Sequence, residues 1–172
     1  LRRQRQMCIR DRSKRTQRVV IPHASLNPHV HVEPIVELLS AANACALVAA
    51  YDIVLDCSDN VMTRYLISDA AAAVGRVVVS GAAQGLDGQL VVLHRNLGHG
   101  RRGPCYRCLF PRAPRPEHVQ SCDDGGILGP VTGLVGAWQA LETIRELTRI
   151  GDAVEAPSMF FITPFAMPAV RN

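Results

Sequence analysis

Two spacings of apolar residues alternate along this chain. Tyr51 to Asn60 opens on Ile53, Val54 and Leu55 and closes on Asp56, Cys57, Ser58 and Asp59, which predicts a buried parallel strand running into a polar loop. Val61 to Gly75 then places Met62, Leu66, Ala70 and Ala73 at helical spacing, with Asp59 or Asn60 in position to cap the helix. Arg76 to Ser80 predicts a second buried strand, Gly81 to Gly88 a glycine-rich turn, and Gln89 to His94 a third strand. Upstream, His29 to Glu33 alternates like an edge strand and Leu38 to Ala50 reads as a short helix. Downstream, Ile127 to Ile150 contains a long helix with Leu134, Trp138, Leu141 and Ile144 on one face, and Met159 to Phe165 predicts a final strand. Trp138 and the phenylalanines read as core, because no basic stripe lies beside them. Strands alternating with helices predict an α/β fold, in which ligands bind just beyond the carboxyl ends of the strands.

Composition narrows the class. At 172 residues and 48% hydrophobic, the chain can bury one α/β core. It shows no signal peptide and no uncharged apolar run near the roughly 20 residues that a membrane span needs. The formal charge of +4 comes from 19 basic against 15 acidic residues. Residues 1–12, LRRQRQMCIRDR, hold five and one of these, which leaves 14 against 14 in the remainder. Residues 2–12 match one translated frame of a transposase-type sequencing adapter without a mismatch. Residues 1–12 therefore read as an adapter artefact and 13–172 as the protein domain, with no basic stripe to suggest nucleic acid or an anionic membrane. Cys8 belongs to the same segment, leaving five of the six cysteines. Cysteines in a chain without a leader point to a cytoplasmic protein with reduced thiols, and so to metal or catalysis before disulfides.

Three places hold candidate chemistry. Cys105 and Cys108 have the spacing that puts two sulfurs on one tetrahedral metal, although a structural zinc site needs four ligands. The same spacing suits a thioredoxin-like redox pair, which the prolines at 104, 111, 114 and 116 disfavour. Cys122, in Ser121-Cys-Asp-Asp-Gly-Gly126, lies on an accessible loop and is either an ordinary loop cysteine or a nucleophile. Asp59 and Asn60 suit helix capping and nucleotide or metal binding equally. His29 and His31 read as solvated strand residues, since no complete metal set accompanies them.

DCSDNVMTRYLISDAA, VVSGAAQGLDGQL, GPCYRCLFP, SCDDGGILGPVTGLVG and WQALETI occur in that order. Together they resemble the adenylating enzymes that activate ubiquitin-like sulfur carriers, a family that includes MoeB, ThiF and the eukaryotic adenylyltransferase-and-sulfurtransferase proteins. The resemblance covers about Leu26 to Arg171 and leans toward the eukaryotic type. It implies a Rossmann-like ThiF/MoeB adenylation fold and an ATP- and Mg2+-dependent two-step reaction. The C-terminal glycine of a ubiquitin-like sulfur-carrier protein is adenylated, and its carboxyl is then passed to a sulfur nucleophile for tRNA thiolation or molybdopterin synthesis. Carried over by motif, Asp59 and Asn60 face ATP and its magnesium, Cys105 and Cys108 are the first pair of a zinc (Zn2+) site, and Cys122 stands on a crossover loop spanning about 103–126. Lys14 matches the family lysine only across a one-residue gap, Arg15 taking the ungapped place. A homodimer is implied as well.

The same resemblance calls for a glycine-rich ATP loop, a ribose-binding acid and a phosphate-reaching arginine before Leu26, and for a second Cys-x-x-Cys after Arg171. None is in this sequence, so the chain reads as a fragment, inactive alone. Two other readings remain. One is a nicotinamide or flavin oxidoreductase fragment, which leaves the three cysteines without a role. The other is an inactive partner-like scaffold, against which the presence of both Asp59 and Cys122 argues.

Overall fold

The structure is a computed structural model that describes residues 27, 29, 31–114, 126–150 and 159–162. Lys14, Cys122 and residues 1–12 lie outside the described residues. The chain divides into two compact units, Leu1–Leu39 and Ser40–Asn172. Among the described residues of the first unit there is neither helix nor strand. The strand expected over His29 to Glu33 is absent at His29 and at 31–33, because the Asn27 side chain accepts the His29 N–H at 3.0 Å and Pro34, lacking a donor, follows.

In the second unit, α1 (Ala44–Ala49) leads into β1 (Ile53–Asp56), α2 (Val61–Val74) and β2 (Val77–Gln84). Next come β3 (Asp87–Leu93), the short α3 (Tyr106–Leu109), α4 (Gly129–Thr148) and β4 (Met159–Ile162). Helix α1 is shorter than the predicted Leu38 to Ala50. The Asn43 carboxamide accepts from the Ser40 N–H at 2.8 Å and holds 40–43 in a turn ahead of the helix. Helix α2 starts where Asn60 Oδ1 accepts from the Met62 and Thr63 N–H groups at 2.8 and 3.3 Å, and ends at Gly75, whose φ of 70° suits a left-handed cap. Its buried residues are Tyr65, Ile67, Ser68, Ala70 and Ala71, whereas Met62 is exposed, so the inward face is rotated from the expected one.

Among the described residues four strands form one sheet, in the order β1-β2-β3-β4. Only β1 and β2 are parallel, joined through α2; β2–β3 and β3–β4 are antiparallel. Strand β2 does not stop at Ser80. It pairs with β3 as far as Gln84 opposite Asp87, so the predicted turn from Gly81 to Gly88 contracts to Gly85 and Leu86. Gly85, at φ 56°, is the turn glycine. Gly81 and Gly88 lie in the strands because α4 crosses closely there: a Cβ at Gly81 would stand 2.4 Å from Gln139 Cδ, and one at Gly88 2.8 Å from Val135 Cγ2.

Helix α4 corrects the expected face. Val131, Val135, Gln139 and Glu142 are buried, while Leu134, Leu141 and Ile144 are 51%, 55% and 54% exposed. The polar pair turns inward because both members find partners there: the Asp56 and Val79 carbonyls of β1 and β2 for Gln139, and Arg95, two residues beyond β3, for Glu142. Trp138 does pack inward, its ring 4.5 Å from that of Phe160 on β4 and against the Val79, Leu90 and Val92 cluster. Among the described residues no helix is long and apolar enough to cross a membrane.

Candidate functional site

The loop after β1 is built from its own side chains. Asp56 is 2% exposed, and its carboxylate accepts from the Ser58 N–H at 3.0 Å, the Ser58 hydroxyl at 2.7 Å and the Ser80 hydroxyl of β2 at 2.7 Å. Three such bonds satisfy a carboxylate that burial would otherwise penalise heavily. From the other side, Arg64 of α2 donates through Nη2 to the Ser58 carbonyl at 2.8 Å. From below, Gln139 of α4 donates through Nε2 to the carbonyls of Asp56 and Val79 at 3.0 and 3.1 Å, and accepts from the Cys57 thiol at 3.7 Å. These two carbonyls belong to β1 and β2, so one glutamine ties the carboxyl end of the parallel pair to the long helix.

Every polar side chain from Asp56 to Asn60 is engaged except one. Asp59 is exposed, and among the described residues its carboxylate has no hydrogen-bond or ion-pair partner. It projects from a rigid loop at the carboxyl end of a parallel strand, where α/β sheets bind ligands. Asn60 commits Oδ1 to the cap and leaves its amide N–H groups for another acceptor.

The Cys-x-x-Cys turn is fastened to α2 separately. The Tyr106 N–H donates to Ser68 Oγ at 3.0 Å, and Ser68 also lies 3.1 Å from Nε2 of the buried His94. Tyr65 donates its hydroxyl to the Phe110 carbonyl at 2.6 Å and meets the Tyr106 ring edge-on at 4.9 Å. Arg107 forks onto Asp69, with Nε–Oδ1 at 2.9 Å and Nη2–Oδ2 at 2.7 Å, and stacks over Tyr65. So held, the Cys105 and Cys108 sulfurs lie 3.3 Å apart, one half-buried and one exposed. Hydrogen bonds from the Cys105 backbone and thiol pull the Cys108 thiol below its ordinary value, favouring the thiolate that a metal needs.

Two adjacent thiols of this kind fit zinc as part of its ligand set. Zn–S bonds of about 2.3 Å in a tetrahedron put two sulfurs about 3.8 Å apart, so the pair would open by about 0.5 Å. Among the described residues no third Cys, His, Asp or Glu joins them. Residues 126–128, where the expected crossover loop would end, are anchored too: the Gly85 N–H donates to the Gly126 carbonyl at 3.0 Å, and the Leu128 N–H returns to the Gly85 carbonyl at 2.9 Å. The loop expected to present Cys122 thus arrives at the β2–β3 turn, just before α4.

The profile of the ThiF family matches residues 4–171. The chain belongs to the ThiF family. Membership accords with the motif resemblance and with the α/β sheet, and it removes the support for an oxidoreductase. The chain is 49% identical over 136 residues to "Adenylyltransferase and sulfurtransferase MOCS3" of Drosophila grimshawi, covering 79% of this chain and 29% of that protein. It is 47% identical over 147 residues to the protein of the same name from Drosophila virilis, covering 86% and 32%. Against "Adenylyltransferase and sulfurtransferase uba4" of Aspergillus terreus it is 44% identical over 150 residues, covering 86% and 31%. The ThiF-family chain therefore spans about a third of the length of the curated relatives it matches.

Of the expected site residues, the structure places Asp59 and Asn60 together on one loop and Cys105 and Cys108 together on another. The residues that hold them, Asp56, Ser80, Gln139, Ser68 and Asp69, were not anticipated. A signal existed for one: Gly81 inside a strand marks a close approach, and the nearest helical side chain is Gln139.

Proposed function

We propose that this chain is the partial adenylation domain, residues 13–172, of an enzyme that uses ATP to activate the C-terminal glycine of a ubiquitin-like sulfur-carrier protein. The carrier carboxylate attacks the α-phosphorus of ATP, forming an acyl-adenylate and releasing pyrophosphate. A sulfur nucleophile then attacks the acyl carbon and AMP leaves. The product would serve tRNA thiolation, molybdopterin synthesis or both, in the cytoplasm, in a homodimer without direct contact to nucleic acid or membrane.

The observation that supports this reading is the Asp59 carboxylate, without a partner among the described residues, on a loop whose other polar side chains each make at least one hydrogen bond. Magnesium is held through one or two carboxylates together with substrate phosphates, and an exposed, pre-positioned aspartate suits that role. Asn60 would offer its amide N–H groups to a phosphate or ribose oxygen, and Lys14 a cation to the phosphates. Cys105 and Cys108 would supply two of the four thiolates of a zinc site that stabilises the crossover. Cys122 would be the thiol that the crossover loop delivers to the activated carboxyl.

Carrier-dependent ATP–pyrophosphate exchange, measured on a chain extended to the relatives' length, tests the reading. Asp59→Ala should lower the exchange by about a hundredfold, as expected for loss of a charge contact in the transition state. Cys122→Ala should keep the exchange and lose thiol-sensitive enzyme–carrier adducts. Full activity of Asp59→Ala would overturn the assignment, and an inactive wild-type chain of that length would return the scaffold reading.

A further inference from the structure

We propose that Cys105 and Cys108 form a reversible thiol–disulfide couple, closed by a low-molecular-weight disulfide such as oxidised glutathione. The geometry is the warrant. Their sulfurs are 3.3 Å apart, and a disulfide bond is about 2.05 Å long, so closure needs little more than 1 Å of sulfur travel. The backbone that sets this approach is fixed by contacts that involve neither sulfur. They are the Tyr106 N–H to Ser68 bond at 3.0 Å, the Arg107–Asp69 fork, the Tyr65 hydroxyl to Phe110 bond at 2.6 Å and the Cys108 N–H to Cys105 carbonyl bond at 3.1 Å. An unfolded chain must order this turn before it can close, whereas the folded one has already done so.

Exposure sets the order of events. Cys108 is exposed and Cys105 half-buried, so Cys108 meets the oxidant first. Its thiolate attacks one sulfur of oxidised glutathione, the S–S bond breaks, and one glutathione thiolate leaves and is protonated. Cys105 then gives its proton to water and attacks the Cys108 sulfur, and the second glutathione leaves. Two protein thiols are oxidised and one glutathione disulfide is reduced to two thiols. The couple belongs to the metal-free state, because a zinc ion would occupy the same two thiolates, and closure of the disulfide in turn removes the thiolates that a metal needs.

The metal-free whole chain, treated with a chelator and equilibrated in glutathione buffers, tests this. After acid quenching, alkylation and trypsin, closure joins the peptides 103–107 and 108–112, because Arg107 is cut between the two cysteines. The equilibrium constant for this linkage should exceed that of the same chain unfolded in guanidinium by about tenfold or more. Cys105→Ser should instead retain glutathione on Cys108. An equal or smaller constant in the folded chain, preferred pairing of Cys108 with another cysteine, or no glutathione on Cys108 in the variant would overturn the proposal.

Discussion

Among single side chains, His94 stands out. It is buried at a positive φ of 57°, with Nε2 3.1 Å from Ser68 Oγ and 3.0 Å from the Ser68 carbonyl. Burial pushes its pKa down, the Ser68 carbonyl opposes that, Arg102 reinforces it and Asp69 opposes it. A histidine depressed in the folded state binds its proton more readily when unfolded. Stability should therefore be intact above the ordinary value of about 6.5 and fall as the pH drops below it toward the depressed folded value. Thermal unfolding between pH 7.5 and pH 5 should show a falling Tm, and His94→Asn, which tolerates positive φ and does not titrate, should flatten that dependence. An unchanged slope would assign the acid sensitivity elsewhere. Nothing in the sequence pointed to this histidine, because its partner Ser68 lies 26 residues away on another element.

Helix α4 shows what periodicity reveals and what it hides. The helix was legible from its apolar spacing, and so was the inward place of Trp138. Its orientation was not, because Leu134, Leu141 and Ile144 make a more apolar stripe than the one that is buried. The buried stripe is decided by partners at long range: Gln139 bonds to the Asp56 and Val79 carbonyls, and Glu142 meets Arg95 at 3.2 Å with side-chain exposures of 2% and 7%. Arg95 also pairs with Glu146, and Arg145 with Glu142 at 2.7 Å, so the buried charges balance. Glu142→Ala should destabilise the chain by about 3 kcal/mol in denaturant unfolding, because it strands part of a buried guanidinium. Leu141→Ala, on the exposed stripe, should change it by less than about 1 kcal/mol. Gly81→Ala belongs with the first kind, since its new Cβ would push Gln139 off both carbonyls. A loss of about 1–3 kcal/mol is expected there.

For the whole molecule, the α/β class and the β1–α2–β2 unit were readable from the apolar runs, and the pairing of Asp59 with Asn60 and of Cys105 with Cys108 on two loops from their motifs. The antiparallel continuation was not, because glycines that look like turn residues are contact points for α4. The glycine-rich loop that the family resemblance implies is not among the 172 residues. The chain by itself should therefore show no pyrophosphate exchange, since positioning of the phosphates supplies much of such catalysis. Metal analysis of the purified chain should give well under one zinc per chain, because two thiolates fill half of a tetrahedral site. Stoichiometric zinc would mean that further ligands complete the site. The arrangement around Asp59 also predicts a pattern of mutational tolerance. In a saturation library scored for abundance, Asp56, Ser58 and Asn60 should reject most replacements, while Asp59 between them accepts nearly all. Scored for adenylation in the extended chain, that permissive position should become as restricted as its neighbours.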